Sequence, residues 1–163
     1  MLKRCWFDYG ALTELFNEAR RWRLRETGGA LLGWRDGGDV VVRRILGPGP
    51  HARHGFSHFE PDHNWQGEEG RRIYEESKRT VAYVGDWHTH PRGAPRPSAQ
   101  DRKTMAAIAN DKDFRSPQPL SLILGRSRFR RRRELHVYIW NGTTLEPIKV
   151  EIFDAVDRGA QAG

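Results

Sequence analysis

His88 and His90 stand one residue apart in Gly85-Asp86-Trp87-His88-Thr89-His90-Pro91, and Pro97-Ser98-Ala99-Gln100-Asp101 follows shortly after. On an extended strand, alternate side chains share a face, so both imidazoles can grip one ion. Asp101 would complete the set. Two neutral imidazoles and a carboxylate suit Zn²⁺, and three protein ligands leave a fourth position for water, the pattern of a catalytic rather than a structural site. Ser98-x-x-Asp101 after Pro97 also reads as a helix start, with Ser98 as N-cap and Asp101 as an acid in the first turn. The two readings are compatible, because a helix N-terminus docked beside a strand end would carry Asp101 to the histidines. His51, His54, His58, His63 and His136 show no comparable spacing.

The elements around this stretch predict a mixed α/β fold. Leu12, Leu15, Phe16, Ala19 and Trp22 recur at helical spacing, giving an amphipathic helix over 11–23. Residues 29–34 and 40–46 read as strands joined by a turn at Asp36-Gly37-Gly38-Asp39. Gly47-Pro48-Gly49-Pro50 then breaks the chain, 56–60 reads as a short strand, and 62–78 as a helix starting at Asp62 or Asn64. Residues 83–87 have the apolar content of a central strand, which Pro91 ends. A helix over 98–110 would hold Asp101 in its first turn and turn Met105, Ile108 and Ala109 inward. Strands are expected at 120–124, 135–140 and 146–153. Trp87, alternating with its histidine neighbours, reads as packing.

His-x-His-Pro, six residues, then Ser-x-x-Asp resembles the JAMM signature of the JAB1/MPN family of zinc-dependent, deubiquitinase-like isopeptidases. That family also carries a glutamate ahead of a Gly-rich apolar stretch, and Glu26-Thr27-Gly28-Gly29-Ala30-Leu31-Leu32-Gly33 is similar to it. The resemblance implies one zinc per chain, held by His88, His90 and Asp101, with Glu26 as general base and Ser98 as a donor to the oxyanion. Read without the family, Glu26 would pass for a solvated strand-edge residue. The resemblance further implies a JAB1/MPN-like domain over residues 1–157, a central mixed β-sheet flanked by helices, and a flexible tail at 158–163. Within the family, the form around His88 is most similar to small stand-alone bacterial members of antiphage operons of the CBASS type. Their implied partners are a ubiquitin-like modifier, or an E1/E2-like conjugating enzyme and its conjugate. Two loops are expected to contribute to binding: 47–63, where the resembled family inserts a segment that cradles the modifier's tail, and 92–97 inside the signature.

Composition fits one enzyme domain. At 163 residues the chain can bury a sizeable core, and a hydrophobic content of 37 % with six tryptophans argues against disorder. No apolar run approaches the roughly 18 residues of a membrane span, and no signal-peptide core follows the start, so a cytoplasmic protein is expected. Cys5, the only cysteine, cannot form an internal disulfide and reads as a small buried hydrophobe. The net charge is +7, yet six arginines fall within 126–133, so the basicity is local. That cluster reads as a solvated hairpin loop or as a docking patch for a protein, with nucleic-acid binding ranked behind both. Two other classes remain open beside the peptidase. One is a non-catalytic scaffold, disfavoured by the complete signature, and the other a nucleic-acid module with a structural metal.

Overall fold

Side-chain alternation along the strands decides which elements cover which face. A computed structural model describes residues 3–127, 129 and 132–155. In chain order the elements are β1 (Arg4–Asp8), α1 (Tyr9–Arg21), β2 (Gly28–Asp36), β3 (Asp39–Leu46), β4 (Arg53–His54), β5 (Phe59–Glu60) and α2 (His63–Glu76). They continue as β6 (Ala82–Thr89), α3 (Ala99–Asn110), β7 (Leu120–Arg126), β8 (Arg133–Trp140) and β9 (Leu145–Phe153). The central sheet runs β1-β3-β2-β6-β7-β8-β9 and closes on itself where β9 pairs in parallel with β1. β6 and β7 are also parallel, and the crossover between them contains α3.

The interior is filled by inward residues such as Phe7, Leu31, Val42, Trp87, Leu122 and Ile139, together with Ala11, Leu15 and Ala19 of α1. Helix α1 therefore packs within the curved sheet. Its start is fixed by Asp8, whose side chain accepts from the Ala11 amide at 3.0 Å and pairs with Arg43 at 3.1 Å. The outer face carries two further clusters. Met105 and Ile108 of α3 pack over Ile123, Tyr138 and Trp140, while Ile73 of α2 packs over Ala30, Leu32 and Leu46. The mixed α/β architecture with helices on a central sheet is thus present, with the sheet closed into a barrel.

Several expectations change in detail. Helix α1 begins at Tyr9, two residues before the expected start at 11, because buried Asp8 caps it. Strand β1 had no expected counterpart: its five residues gain their partners from β3 and β9, which are remote in sequence. In place of one strand at 56–60, β4 and β5 form a two-residue pairing, Arg53 opposite Glu60 and His54 opposite Phe59. Asp62 rather than Asn64 caps α2. Cys5 is buried as expected. Arg128, Arg130 and Arg131 of the arginine cluster and the expected tail at 158–163 lie outside the described residues. Among the described residues, no helix is long and apolar enough to cross a membrane.

Trp87 links the interior to the β3 edge. Its indole is fully buried and its Nε1 donates to the Leu46 carbonyl at 2.9 Å. Trp87→Ala should therefore lose both a large packed volume and that bond, lowering stability by about 3–5 kcal/mol in urea unfolding. A change below about 1 kcal/mol would contradict the packing role.

Candidate metal centre

Strand β6 buries Trp87 and Thr89 and turns Asp86 and His88 to the outer face. His88 faces Gly28 across the β2–β6 ladder, and a Cβ at Gly28 would collide with the Trp87 carbonyl and crowd the His88 Cβ and Phe59 ring. Only glycine leaves room for the imidazole at that position. The chain continues the pairing past β6, His90 N donating to the Leu124 carbonyl at 2.8 Å. The two imidazoles then meet, Nε2 to Nε2, at 3.0 Å.

Helix α3 brings in the third group. Ser98 Oγ accepts from the Asp101 amide at 3.1 Å, and Asp101 Oδ2 accepts from the Ser98 amide at 2.7 Å, a reciprocal capping box. The same carboxylate faces the histidines, with Oδ1 3.3 Å from His88 Nε2 and Oδ2 3.8 Å from His90 Nε2. Capping and ligand geometry coexist in one residue. Burial opposes ionisation of Asp101, but His88 and the Ser98 groups outweigh it and hold the carboxyl well below the usual carboxylate range.

The connecting loop is held from a distant strand. His90 Nδ1 lies 3.0 Å from the Ala94 carbonyl, Tyr138 Oη donates to the Pro95 carbonyl at 2.8 Å, and Arg126 N donates to the Gly93 carbonyl at 2.8 Å. Gly125 permits this approach, since a Cβ there would press on the backbone of Gly93, Ala94 and Pro95. A carbonyl only accepts, so His90 must carry its proton on Nδ1 and present the Nε2 lone pair to the cluster. His88, His90 and Asp101 form a group that could hold a metal ion. Two ligands at about 2.0–2.2 Å from one tetrahedral zinc lie roughly 3.3–3.5 Å apart, and the observed separations bracket that range. The donor set therefore fits the ion that the sequence pattern implies. The three side chains keep 16–18 % exposure, enough for a substrate group to approach.

Glu26 precedes β2 on the same side. Its amide donates to the Gly55 carbonyl at 2.8 Å, and its carbonyl lies 3.0 Å from His54 Nδ1. Burial raises its carboxyl above the ordinary value, against the opposing fields of His90 and His88. The adjoining Thr27 is bonded to Thr89, which brings the Glu26 segment alongside the histidine segment. Ser98 is exposed at the α3 start, where its hydroxyl is beside Asp101 and can turn toward an incoming oxygen. All five residues singled out in the sequence are thus gathered at the outer end of β6.

Supporting residues carried weaker signals. His54, stacked on Trp22 at 3.5 Å between ring centroids, anchors Glu26 from the 47–63 loop, and no spacing rule links it to residue 26. Tyr138 is equally remote from the loop it fastens. Thr89 N donates to the Thr27 carbonyl at 2.9 Å, and its hydroxyl accepts from Thr27 N at 3.1 Å, clamping the Glu26 segment to the histidine segment. The Thr27/Thr89 alternation could have suggested an inward pair.

Asp86 shares the outer face of β6 and accepts from Tyr83 Oη at 2.9 Å. Burial pushes its carboxyl up to about 6, only partly offset by that hydrogen bond.

A family of prokaryotic homologs of the JAB domain matches residues 10–138. A probable metalloprotease of Sinorhizobium fredii is 33 % identical over 76 % of this chain and 77 % of its own length. A CD-NTase/cGAS isopeptidase of Vibrio cholerae is 34 % identical over 68 % of this chain and 70 % of its own. A protein of the same description from Enterobacter hormaechei is 29 % identical over 70 % of this chain, which spans 63 % of that relative. The solution structure of a Desulfitobacterium hafniense protein superposes with a TM-score of 0.69 at 21 % identity, covering 92 % of this chain and 93 % of the other.

Two outcomes follow from the geometry. Asp101→Asn retains an acceptor for the Ser98 amide but loses the charge, so it should keep its helix content and lose at least about tenfold in zinc affinity by competitive titration; unchanged affinity would exclude Asp101 as a ligand. For Asp86, a folded-state value above the unfolded one means that stability is full below the ordinary carboxylate value and is lost as pH rises through about 6. Metal-free Asp86→Asn should hence be more stable than metal-free wild type above pH 6, with the gap closing under more acid conditions. A gap independent of pH would contradict the assignment.

Proposed function

This chain belongs to the family of prokaryotic homologs of the JAB domain, and we propose that it is a zinc-dependent isopeptidase acting on a protein conjugate. The observation that carries the reading is the convergence of His88, His90 and Asp101 within 3.0–3.8 Å, with the Glu26 segment clamped to the histidine segment through Thr27 and Thr89. The relatives named metalloprotease and isopeptidase support a hydrolase of this family. The finer reading is that the bond cut joins the C-terminus of a ubiquitin-like modifier, or of an enzyme conjugated in the same manner, to an amine of its target. The relatives named CD-NTase/cGAS isopeptidase support that class of conjugate and a place in bacterial antiphage defence.

His88, His90 and Asp101 would hold the zinc, which when bound supplies a Lewis acid that polarises the scissile carbonyl and acidifies the attacking water. Glu26 would take the proton of that water and return it to the departing amine nitrogen. The Ser98 hydroxyl donates to the carbonyl oxygen as negative charge develops there. His54 and Gly55 fix the Glu26 backbone, and the capping box fixes Ser98 at the α3 start.

Glu26→Gln should bind zinc like wild type and cleave a conjugate at no measurable rate, because it removes a base and no ligand. Ser98→Ala should lower turnover by about 100- to 1000-fold, the usual effect of losing one oxyanion donor. Both are read by gel-resolved cleavage of an isopeptide-linked conjugate alongside elemental analysis. Near wild-type turnover by Glu26→Gln would refute the catalytic assignment.

A further inference from the structure

Four arginines from separate parts of the sequence converge next to the chain segment that carries His90. Arg20 lies in the last turn of α1, Arg23 in the turn after it, Arg126 at the end of β7 and Arg133 at the start of β8. Arg126 and Arg133 are Cα partners across the β7–β8 ladder, and the Arg133 guanidinium lies 3.5 Å from the Ala19 carbonyl at the end of α1. Burial and then the charges of Arg126, Arg20 and Arg23 push the Arg133 proton affinity down, so the four share one field. Among the described residues none of them pairs with a carboxylate, unlike Arg21, Arg43, Arg72 and Arg79 elsewhere on the chain.

Structural duties account for only part of this cluster. A cation near a helix C-terminus is stabilised by the helix dipole, which covers Arg20 and the Arg133 contact with Ala19. Arg23, one residue past the α1 C-cap, shares that duty, whereas Arg126, exposed at the end of β7, has no such role. Uncompensated like charges at close quarters destabilise the fold and mark a surface shaped for an anion. Guanidinium groups also offer paired donors that match carboxylates.

The position selects the partner. A small cavity lined by Trp22, Thr89, His90, Leu124, Arg126 and Arg133 sets the arginine face against the chain segment that carries His90, and the Arg126 amide is bonded into the loop that follows His90. A chain held for cleavage at His90 must leave the site across neighbouring surface. On the reading of this protein as an isopeptidase, that chain is a polypeptide. We infer that Arg20, Arg23, Arg126 and Arg133 form a docking surface for an acidic, Asp- or Glu-rich segment of the protein conjugate.

The test uses the full chain carrying Glu26→Gln and loaded with zinc, with a fluorescent oligoglutamate peptide followed by anisotropy. One variant adds Arg20→Gln, Arg23→Gln, Arg126→Gln and Arg133→Gln. A control removes the same charge elsewhere through Arg44→Gln, Arg71→Gln, Lys112→Gln and Arg115→Gln. The first variant should weaken peptide binding at least about tenfold relative to the control, with zinc content unchanged in both. Should the quadruple variant fail to fold, Arg23→Gln with Arg126→Gln alone should still weaken binding more than a matched control pair, Arg44→Gln with Arg71→Gln. Equal weakening by patch and control variants would overturn the inference, because net charge alone would then explain binding. Tighter binding of a charge-matched single-stranded oligonucleotide through the same arginines would also overturn it, in favour of a phosphate polymer. Binding is read without turnover, so a chain that cleaves no conjugate would defeat the isopeptidase reading while leaving the peptide result intact.

Discussion

Two imidazole nitrogens held 3.0 Å apart, with a carboxylate 3.3 Å from one of them, must be bridged by a proton or by a metal cation. His90 cannot supply that proton while neutral, because its own is engaged at Nδ1 by the Ala94 carbonyl, so its Nε2 accepts from a His88 N–H or ligates a cation. Either a proton or a metal cation resolves the contact, and two imidazoles with one carboxylate form a donor set matched to zinc. Much of the surrounding structure is arranged so that these groups cannot separate. Gly28 lets His88 lie against β2, the Leu124 carbonyl holds the His90 backbone, and the capping box locks Asp101 to the first turn of α3.

The barrel supplies the rigidity for that arrangement. Trp87 and Thr89 anchor β6 inward, so His88 has no rotation available to the strand that would carry it away from the outer face. Helix α3 is pinned at Met105 and Ile108 to Ile123, Tyr138 and Trp140, and Tyr138 also ties the loop between ligands. A single patch of β7 and β8 thereby positions both the helix that carries Asp101 and the loop that follows His90. The Glu26 segment is joined to β6 by reciprocal Thr27–Thr89 bonds, which tie Glu26 to the histidine segment without any shared sequence neighbourhood.

What could be read from the sequence depended on how local the information was. His88, His90, Ser98 and Asp101 fall within fourteen residues, and strand alternation plus helix capping suffice to gather them. The α3 start was legible because Ser98 and Asp101 satisfy each other's backbone, a purely local interaction. Strand β1 was not, since Cys5 and Phe7 become strand residues only through pairing with β3 and β9 at long separation. Closure of the sheet was hidden for the same reason. Glu26 could be selected only by resemblance, because the groups that place it, His54, Gly55 and Thr89, are each far along the chain. The arginine run at 126–133 announced itself by composition, but its junction with Arg20 and Arg23 required the fold.

The most direct test of the account is anomalous diffraction at the zinc edge from crystals of the wild-type chain grown with stoichiometric zinc. The account predicts one strong anomalous peak within about 2.0–2.2 Å of His88 Nε2, His90 Nε2 and an Asp101 carboxylate oxygen. A peak seated elsewhere, or none at the end of β6 in zinc-loaded crystals, would contradict it.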